Sequence, residues 1–391
     1  ELTEEILAEN GMTADTDGFN DNMNRQKEQG RKGRKNTEAE AWKENKNLQG
    51  LEETVFTGYD RLQDNAEIIA LAGEDGACNE AVEGQDISIF LNKTPFYAEG
   101  GGQVSDKGIL STKNGKAQVY SVEKNDGIIS HSCHVIEGVI KTGDMADCRV
   151  DAVKRNLTAR NHTATHLLQK ALREVLGEHV QQAGSSVNES VLRFDFNHFE
   201  AVSQQQLKEV EEKVNNKINE FLPVNVSQMS IEEARKKGAM ALFGEKYGQN
   251  VRVVNAGDWS IELCGGTHVN NTGEMGAFKI ISESGIASGV RRIEAVTASG
   301  ILSEVNADEN IIAETANKLK CNKQTLADKA LPIAEEVKSL RKEIEELKKD
   351  AMGSAADTLI ADATEINGKK LITKEFKDYS IDDLRTLSDD I

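Results

Sequence analysis

The sequence is short of sulfur, of long apolar runs and of net positive charge, and each shortage closes off a class of protein. Five cysteines (Cys78, Cys133, Cys148, Cys264 and Cys321) are odd in number and scattered, which argues against a disulfide framework and fits a reducing, cytoplasmic compartment. No apolar run is long enough to span a membrane, and no charged-apolar-small leader suggests export. A glycine-rich stretch, Gly100-Gly101-Gly102-Gln103, lacks the Gly-Lys-Ser/Thr ending of a nucleotide-triphosphate loop. The formal charge of -19 argues against a uniformly basic nucleic-acid binder, but net charge sums over domains while a backbone-binding patch is local. Local basic clusters do occur, at Arg31–Lys35, at Lys154-Arg155 with Arg160, at Lys236-Lys237 and at Arg291-Arg292; taken singly, each reads as a solvated face.

Histidine is scarce too, with seven in the chain, and its distribution is therefore informative. His162 and His166 stand four residues apart in Arg160-Asn161-His162-Thr163-Ala164-Thr165-His166. On a helix that spacing puts both imidazoles on one face, roughly 6 Å apart. About a hundred residues later, Cys264 and His268 straddle Gly265-Gly266, as in a loop pinched around an ion. Three imidazoles and one thiolate suit tetrahedral zinc. His131-Ser132-Cys133-His134 is a weaker lure, because residues on a strand alternate faces.

The 391 residues are enough for roughly two to four domains. Residues 1–50 are polar, with Leu2, Ile6 and Leu7 opening a short amphipathic helix and Phe19, Met23 and Trp42 as sparse anchors; this reads as a helical linker. Over 51–150, short strand-like runs alternate with Gly, Asn and Asp turns at intervals suited to a small β-barrel. The glycine stretch lies within it, free to approach another chain closely or to aim N–H groups at an anion. Asp151 caps a helix predicted over 152–176 with Gly177 as its stop, and 179–187 and 191–196 form a hairpin that presents Gln182 or Ser185 to that helix. A second amphipathic helix spans 204–221, a short one follows Ser230, and strands at 251–254, 259–263, 277–281 and 289–296 complete a unit over 151–300. Its class is α+β, with helices on one side of an antiparallel sheet. Ile333, Val337, Leu340, Ile344 and Leu347 mark a short heptad seam within 301–352, a helical hairpin or brief coiled coil that Gly353-Ser354 breaks. Residues 353–391, with a strand at 369–376 and a helix capped by Ser380, look like the start of a further α/β domain, so the chain reads as a fragment of a longer protein.

Four segments, Phe96–Gln103, Arg160–Leu168, Leu263–Val269 and Gly289–Ala295, closely resemble, in order, the C-terminal part of alanyl-tRNA synthetases. The resemblance implies an editing domain shared with threonyl-tRNA synthetases and free-standing deacylases, preceded by a β-barrel and followed by a truncated C-terminal domain that often mediates dimerisation. The aminoacylation core and its ATP motifs are not recognisable in the chain, so aminoacylation is not expected of it. The implied reaction is hydrolysis of the ester in Ser-tRNA(Ala) or Gly-tRNA(Ala). An alanine pocket rejects neither amino acid by more than roughly 1–3 kcal/mol, which makes a second, hydrolytic site necessary.

By the same resemblance His162, His166, Cys264 and His268 are the zinc ligands. Gln182 lies beside the metal, Thr165 and Ser185 line the pocket, and Gly102, Gln103 and Arg291 are candidates for touching the tRNA end. Partners are the mischarged tRNA and a second copy of the chain, through the C-terminal domain, with contact weakened by truncation. Four protein ligands make a closed site of the kind that holds structural metals, whereas activating water needs an open position. The alternative is therefore a non-catalytic tRNA-binding scaffold whose zinc staples the fold.

Overall fold

The structure, a computed structural model, describes residues 50–391 apart from Asp75, 241–247, 378–379 and Asp390, together with Asp15, Gly18, Asn22 and Arg25. The linker expected over 1–50, its short amphipathic helix and the Arg31–Lys35 cluster lie outside the described residues. Two compact units are present, Glu1–Leu302 and Ser303–Ile391.

The first unit opens with a barrel of six strands: β1 (Gln63–Gly73), β2 (Asp86–Leu91), β3 (Gly108–Ser111), β4 (Gly115–Asn125), β5 (Ile128–Lys141) and β6 (Met145–Val150). Strand β6 pairs with β3 on one side and with β1 on the other, which closes the sheet on itself. Alternation explains the interior: β4 buries Gly115, Ala117 and Val119 and exposes the residues between them. Ala117 and Val119 join Ile68, Ile89, Leu110, Val135 and Ile140 in one buried apolar core. His131 and Cys133 point into this core and His134 points outward, so the His131–His134 run offers no convergent ligand set.

Helix α1 (Ala152–Leu176) follows at once. The Asp151 carboxylate accepts from the Val153 and Lys154 N–H groups, and Gly177, at φ 118°, ends the helix with its N–H donating to the Arg173 carbonyl. Its apolar face (Ala164, Leu167, Leu168, Ala171, Leu172) packs on the hairpin of β7 (Gln182–Val187) and β8 (Leu192–Asn197) and on α2 (Gln204–Asn219). Strands β9 (Val224–Ser230), β10 (Asn250–Ala256) and β11 (Ser260–Leu263) form a sheet of their own, covered by the short α3 (Ile231–Lys236). A four-stranded sheet in the order β7-β8-β13-β12 is completed by β12 (Phe278–Ala287) and β13 (Val290–Thr297). The α+β class stands, but the expected single sheet is two, because the Gly265-Gly266 loop and a 3₁₀ turn at Thr272–Met275 carry the chain off one sheet before the next begins. Phe221, expected as the last residue of the second helix, lies beyond that helix at φ 52° and is 66% exposed.

The barrel is fastened to α1 by a buried cation. Arg155, 5% exposed, pairs with Asp106, 7% exposed, and donates to the Gly58 and Pro95 carbonyls at 2.6 and 2.8 Å. The Lys154-Arg155 cluster thus splits, with one residue at the surface and the other a staple.

In the second unit, α4 (from Ser299 in the first unit to Lys318) and α5 (Leu326–Ala361) are followed by the hairpin of β14 (Thr364–Ile366) and β15 (Lys369–Leu371) and by α6 (Ile381–Asp389). Helix α5 runs unbroken through Gly353-Ser354, correcting the break expected there; one glycine costs only about 1 kcal/mol in a helix interior. The strand expected over 369–376 is three residues long and pairs through an Asn367-Gly368 turn, both residues at positive φ. Val337, Leu340, Ile344 and Leu347 are exposed. No helix among the described residues is long and apolar enough to cross a membrane.

Inside the barrel, His131 Nδ1–H faces the Ile89 carbonyl at 2.9 Å and Nε2 meets the Thr94 hydroxyl at 2.8 Å, a neutral tautomer with both nitrogens satisfied. Burial holds its pKa down to about 4. The folded value lies below the unfolded one, so this stabilisation is complete above about pH 6.5 and is lost as the pH falls toward 4, where the unfolded chain takes the proton first. Between pH 7 and 4 the wild-type chain is expected to lose about 3 kcal/mol more stability than His131→Gln, read from denaturant melts at each pH. Parallel pH profiles would contradict this.

Candidate metal centre and its cavity

Two elements deliver the ligand set. Helix α1 places His162 and His166 one turn apart, with ring centroids separated by 5.3 Å. The loop after β11 brings Cys264 and His268, and the His268 ring lies 4.4 and 4.6 Å from the other two. One ligand atom from each of the four residues lies within 4.8 Å of all the others. Cys264 Sγ is 3.4 Å from His162 Nε2 and 3.3 Å from His268 Nε2. An ion held at about 2.0–2.3 Å spaces tetrahedral ligands by about 3.3–3.8 Å, so the set fits a metal ion.

The imidazoles are prepared for ligation. Burial holds His162 down to about 4, and drives His166 and His268 well below the usual histidine value, with neighbouring charges adding to it. All three are therefore neutral. His162 Nδ1–H donates to Gln103 Oε1 at 2.7 Å, and His268 Nδ1–H to Thr163 Oγ1 at 3.1 Å, which leaves both Nε2 lone pairs aimed at the centre. Thr163 gives its own proton to the Ala159 carbonyl, and Gln103 is held by the Thr267 backbone N–H and hydroxyl.

A cavity of about 340 Å³ opens over the centre. His162, His166 and Cys264 face it, together with Thr165, Gln182 and Ser185, and the barrel supplies Tyr97, Gly100 and Gly101. None of the three residues that were candidates for touching the tRNA end lines this cavity. Gln103 is fully buried, so it offers no surface to an RNA end; its amide orients a ligand instead. Gly102 docks against β7: its carbonyl accepts from the Val187 N–H at 2.7 Å, and a Cβ would stand 2.6 Å from the Ser185 oxygen. Arg291 is held by Glu283 at 2.6 and 2.7 Å and does not line this cavity.

Sequence reasoning overlooked Glu262, which lines the cavity with Oε2 3.5 Å from His166 Nε2. Burial pushes its carboxyl up to about 8, against the pull of the Ser260 hydroxyl. Strand alternation was the available signal, since Glu262 shares a face of β11 with Ser260 and lies two residues before Cys264.

The geometry meets its relatives at this point. A family model described as "tRNA synthetases class II (A)" matches residues 1–154, and one described as "Threonyl and Alanyl tRNA synthetase second additional domain" matches 251–294. An alanine–tRNA ligase of Acetivibrio thermocellus is 43% identical over 394 residues, and one of Clostridioides difficile is 45% identical over 395; each match takes in 100% of this chain and 45% of the relative. That of Alkaliphilus oremlandii is 41% identical over 393 residues. Along its whole length the chain is similar to alanine–tRNA ligases. It spans under half the length of these ligase relatives. The second match begins at Val251 on β10 and so contains Cys264 and His268, while His162 and His166 fall between the two matches.

The centre's dependence on glycine is sharply positional. A Cβ on Gly266 would stand 2.0 Å from His162 Cε1 and 2.4 Å from its Nδ1, whereas one on Gly265 meets nothing within 4 Å. Gly266→Ala is expected to displace His162 and weaken metal retention by about 10–100-fold, and Gly265→Ala to retain metal like the wild type. Metal content after dialysis against graded chelator measures both; equal retention would contradict the packing.

Proposed function

We propose that this chain is the editing portion of an alanine–tRNA ligase, a zinc-dependent hydrolase that cleaves the ester of serine or glycine wrongly attached to tRNA(Ala). The observation that carries the reading is that three of the four ligands form a wall of the cavity that Thr165, Gln182 and Ser185 also line. A metal whose only task was to staple the fold would need no such access, and this favours the catalytic alternative over the scaffold. Zinc is the ion the donor set suits, since three neutral imidazoles and one sulfur match its borderline softness. Bound there, it would supply Lewis acidity at the cavity wall.

The chain's own residues do the recognition. Thr165 is 4% exposed and its hydroxyl proton is committed to the Asn161 carbonyl at 2.9 Å, so its oxygen accepts from an incoming donor such as a serine hydroxyl. Ser185 and the Gln182 amide, on the same strand, offer donors and acceptors across the cavity. A site built to pair a hydroxyl discriminates far better than a pocket that merely excludes bulk. Pocket size then lets glycine in as a smaller guest. The setting is the cytoplasm, where charged tRNA is made.

The purified chain is expected to deacylate Ser-tRNA(Ala) and Gly-tRNA(Ala) while sparing Ala-tRNA(Ala), as followed by loss of labelled amino acid from the three charged tRNAs. Cys264→Ala should lose more than the roughly 10–100-fold that outer-shell changes cost. Full activity in that variant would overturn the catalytic role of the metal. Unfolding on zinc removal, with no hydrolysis by the wild-type chain, would favour the scaffold.

A further inference from the structure

Three successive carbonyls of the ligand loop, those of Cys264, Gly265 and Gly266, are taken up by two side chains from different parts of the fold. Arg252 on β10 donates from Nη1 to the Cys264 oxygen at 2.8 Å and to the Gly266 oxygen at 2.9 Å. Tyr59, from the segment leading into the barrel, donates its hydroxyl to the Gly265 oxygen at 2.6 Å. The two are themselves joined, because the Arg252 guanidinium lies 4.0 Å over the Tyr59 ring. The Arg252 backbone adds a third hold, its carbonyl accepting from the Cys264 N–H at 3.0 Å.

This arrangement answers a physical need. A loop with two adjacent glycines has more backbone freedom to lose than one with other residues at those two positions. Left free, it would present Cys264 and His268 in many relative positions, and an ion would have to order it on binding. Yet Cys264 Sγ and His268 Nε2 stand 3.3 Å apart, at chelating distance, and Gly266 lies against His162 too closely for a Cβ. Some contact must hold the loop there, and the carbonyl ties are placed to do so.

We propose that Tyr59 and Arg252 are positioning residues, a clamp that fixes the Cys264–Gly266 backbone at chelating geometry and through which the barrel sets the affinity and shape of the metal centre. The clamp acts by geometry and not by charge alone. Arg252 Nη1 serves two carbonyls while the planar guanidinium stacks on an aromatic face, and lysine's flexible, strongly hydrated ammonium cannot reproduce that planar stack. The barrel is then a component of the centre twice over, through Gln103 on the helix side and through Tyr59 on the loop side. The inference rests on the zinc reading above, and its test is read on the metal.

The experiment compares the full chain with Tyr59→Phe, Arg252→Lys and Arg252→Met. It measures zinc affinity by chelator competition, the visible absorption of the cobalt-substituted protein, and the separate kcat and KM for Ser-tRNA(Ala). Tyr59→Phe removes one hydroxyl and leaves the ring for the guanidinium to stack on, so it is expected to fold and to bind zinc several-fold more weakly. Arg252→Met is expected to weaken zinc by about 10–100-fold and shift the cobalt bands, with kcat falling more than KM rises. Arg252→Lys should follow Arg252→Met and not the wild type. Wild-type affinity and spectrum in Tyr59→Phe and Arg252→Met would overturn the clamp, and full rescue by lysine would overturn its geometric basis. A wild-type chain that takes up no zinc would overturn the reading on which the clamp rests.

Discussion

The Gln103 carboxamide is the contact on which the candidate centre depends. It comes from the barrel's glycine-rich loop, is fully buried, and makes its bonds to groups of the following α+β part: His162 on α1, and the N–H and hydroxyl of Thr267 in the ligand loop. One oxygen thereby fixes the tautomer of a ligand from the helix and the position of a residue between the two ligands of the loop. A buried amide left unpaired costs roughly 1–3 kcal/mol, so the barrel, the helix and the loop have to be in register together. The Arg155–Asp106 pair enforces the same register a short way off, because a buried ion pair that loses one partner is strongly destabilised. Barrel and helix therefore belong to one compact unit, and the cavity has one wall from each.

Much of this was legible in the sequence, for identifiable reasons. Helix α1 was predicted over the residues it occupies, because Asp151 and Gly177 supply terminal chemistry that tertiary packing has no reason to override. The four residues that could hold a metal were readable as a set because histidine and cysteine are scarce and their four-residue spacings have geometric meaning. Gln103 and Arg155 were misread because each is a polar residue buried by a partner distant in sequence, 59 residues away for His162 and 49 for Asp106. No local pattern marks such a pair. Strand β12 was read short because Ser282-Glu283-Ser284 carries no apolar alternation, its pairing being set by β13. The Asn367-Gly368 turn, by contrast, is a strong local hairpin signal that the reading passed over.

Similarity to alanine–tRNA ligases and the geometry of the cavity both support the proposed editing chemistry. The first family match ends before α1's histidines and the second begins after them, yet the structure brings them to Cys264 and His268 across about a hundred residues. The cavity in turn brings hydroxyls and an amide beside imidazoles kept neutral by burial. Editing calls for that combination: a pocket that reads a small polar difference, next to an electrophile that cleaves what the pocket accepts.

The central claim is that these four side chains bind one zinc ion together. Zinc-edge X-ray absorption on the purified full chain tests it most directly. The account predicts one zinc per chain, with one sulfur at about 2.3 Å and three nitrogen ligands at about 2.0–2.1 Å, the sulfur shell disappearing in Cys264→Ser. A first shell without sulfur, or a sulfur shell that survives that substitution, would contradict it.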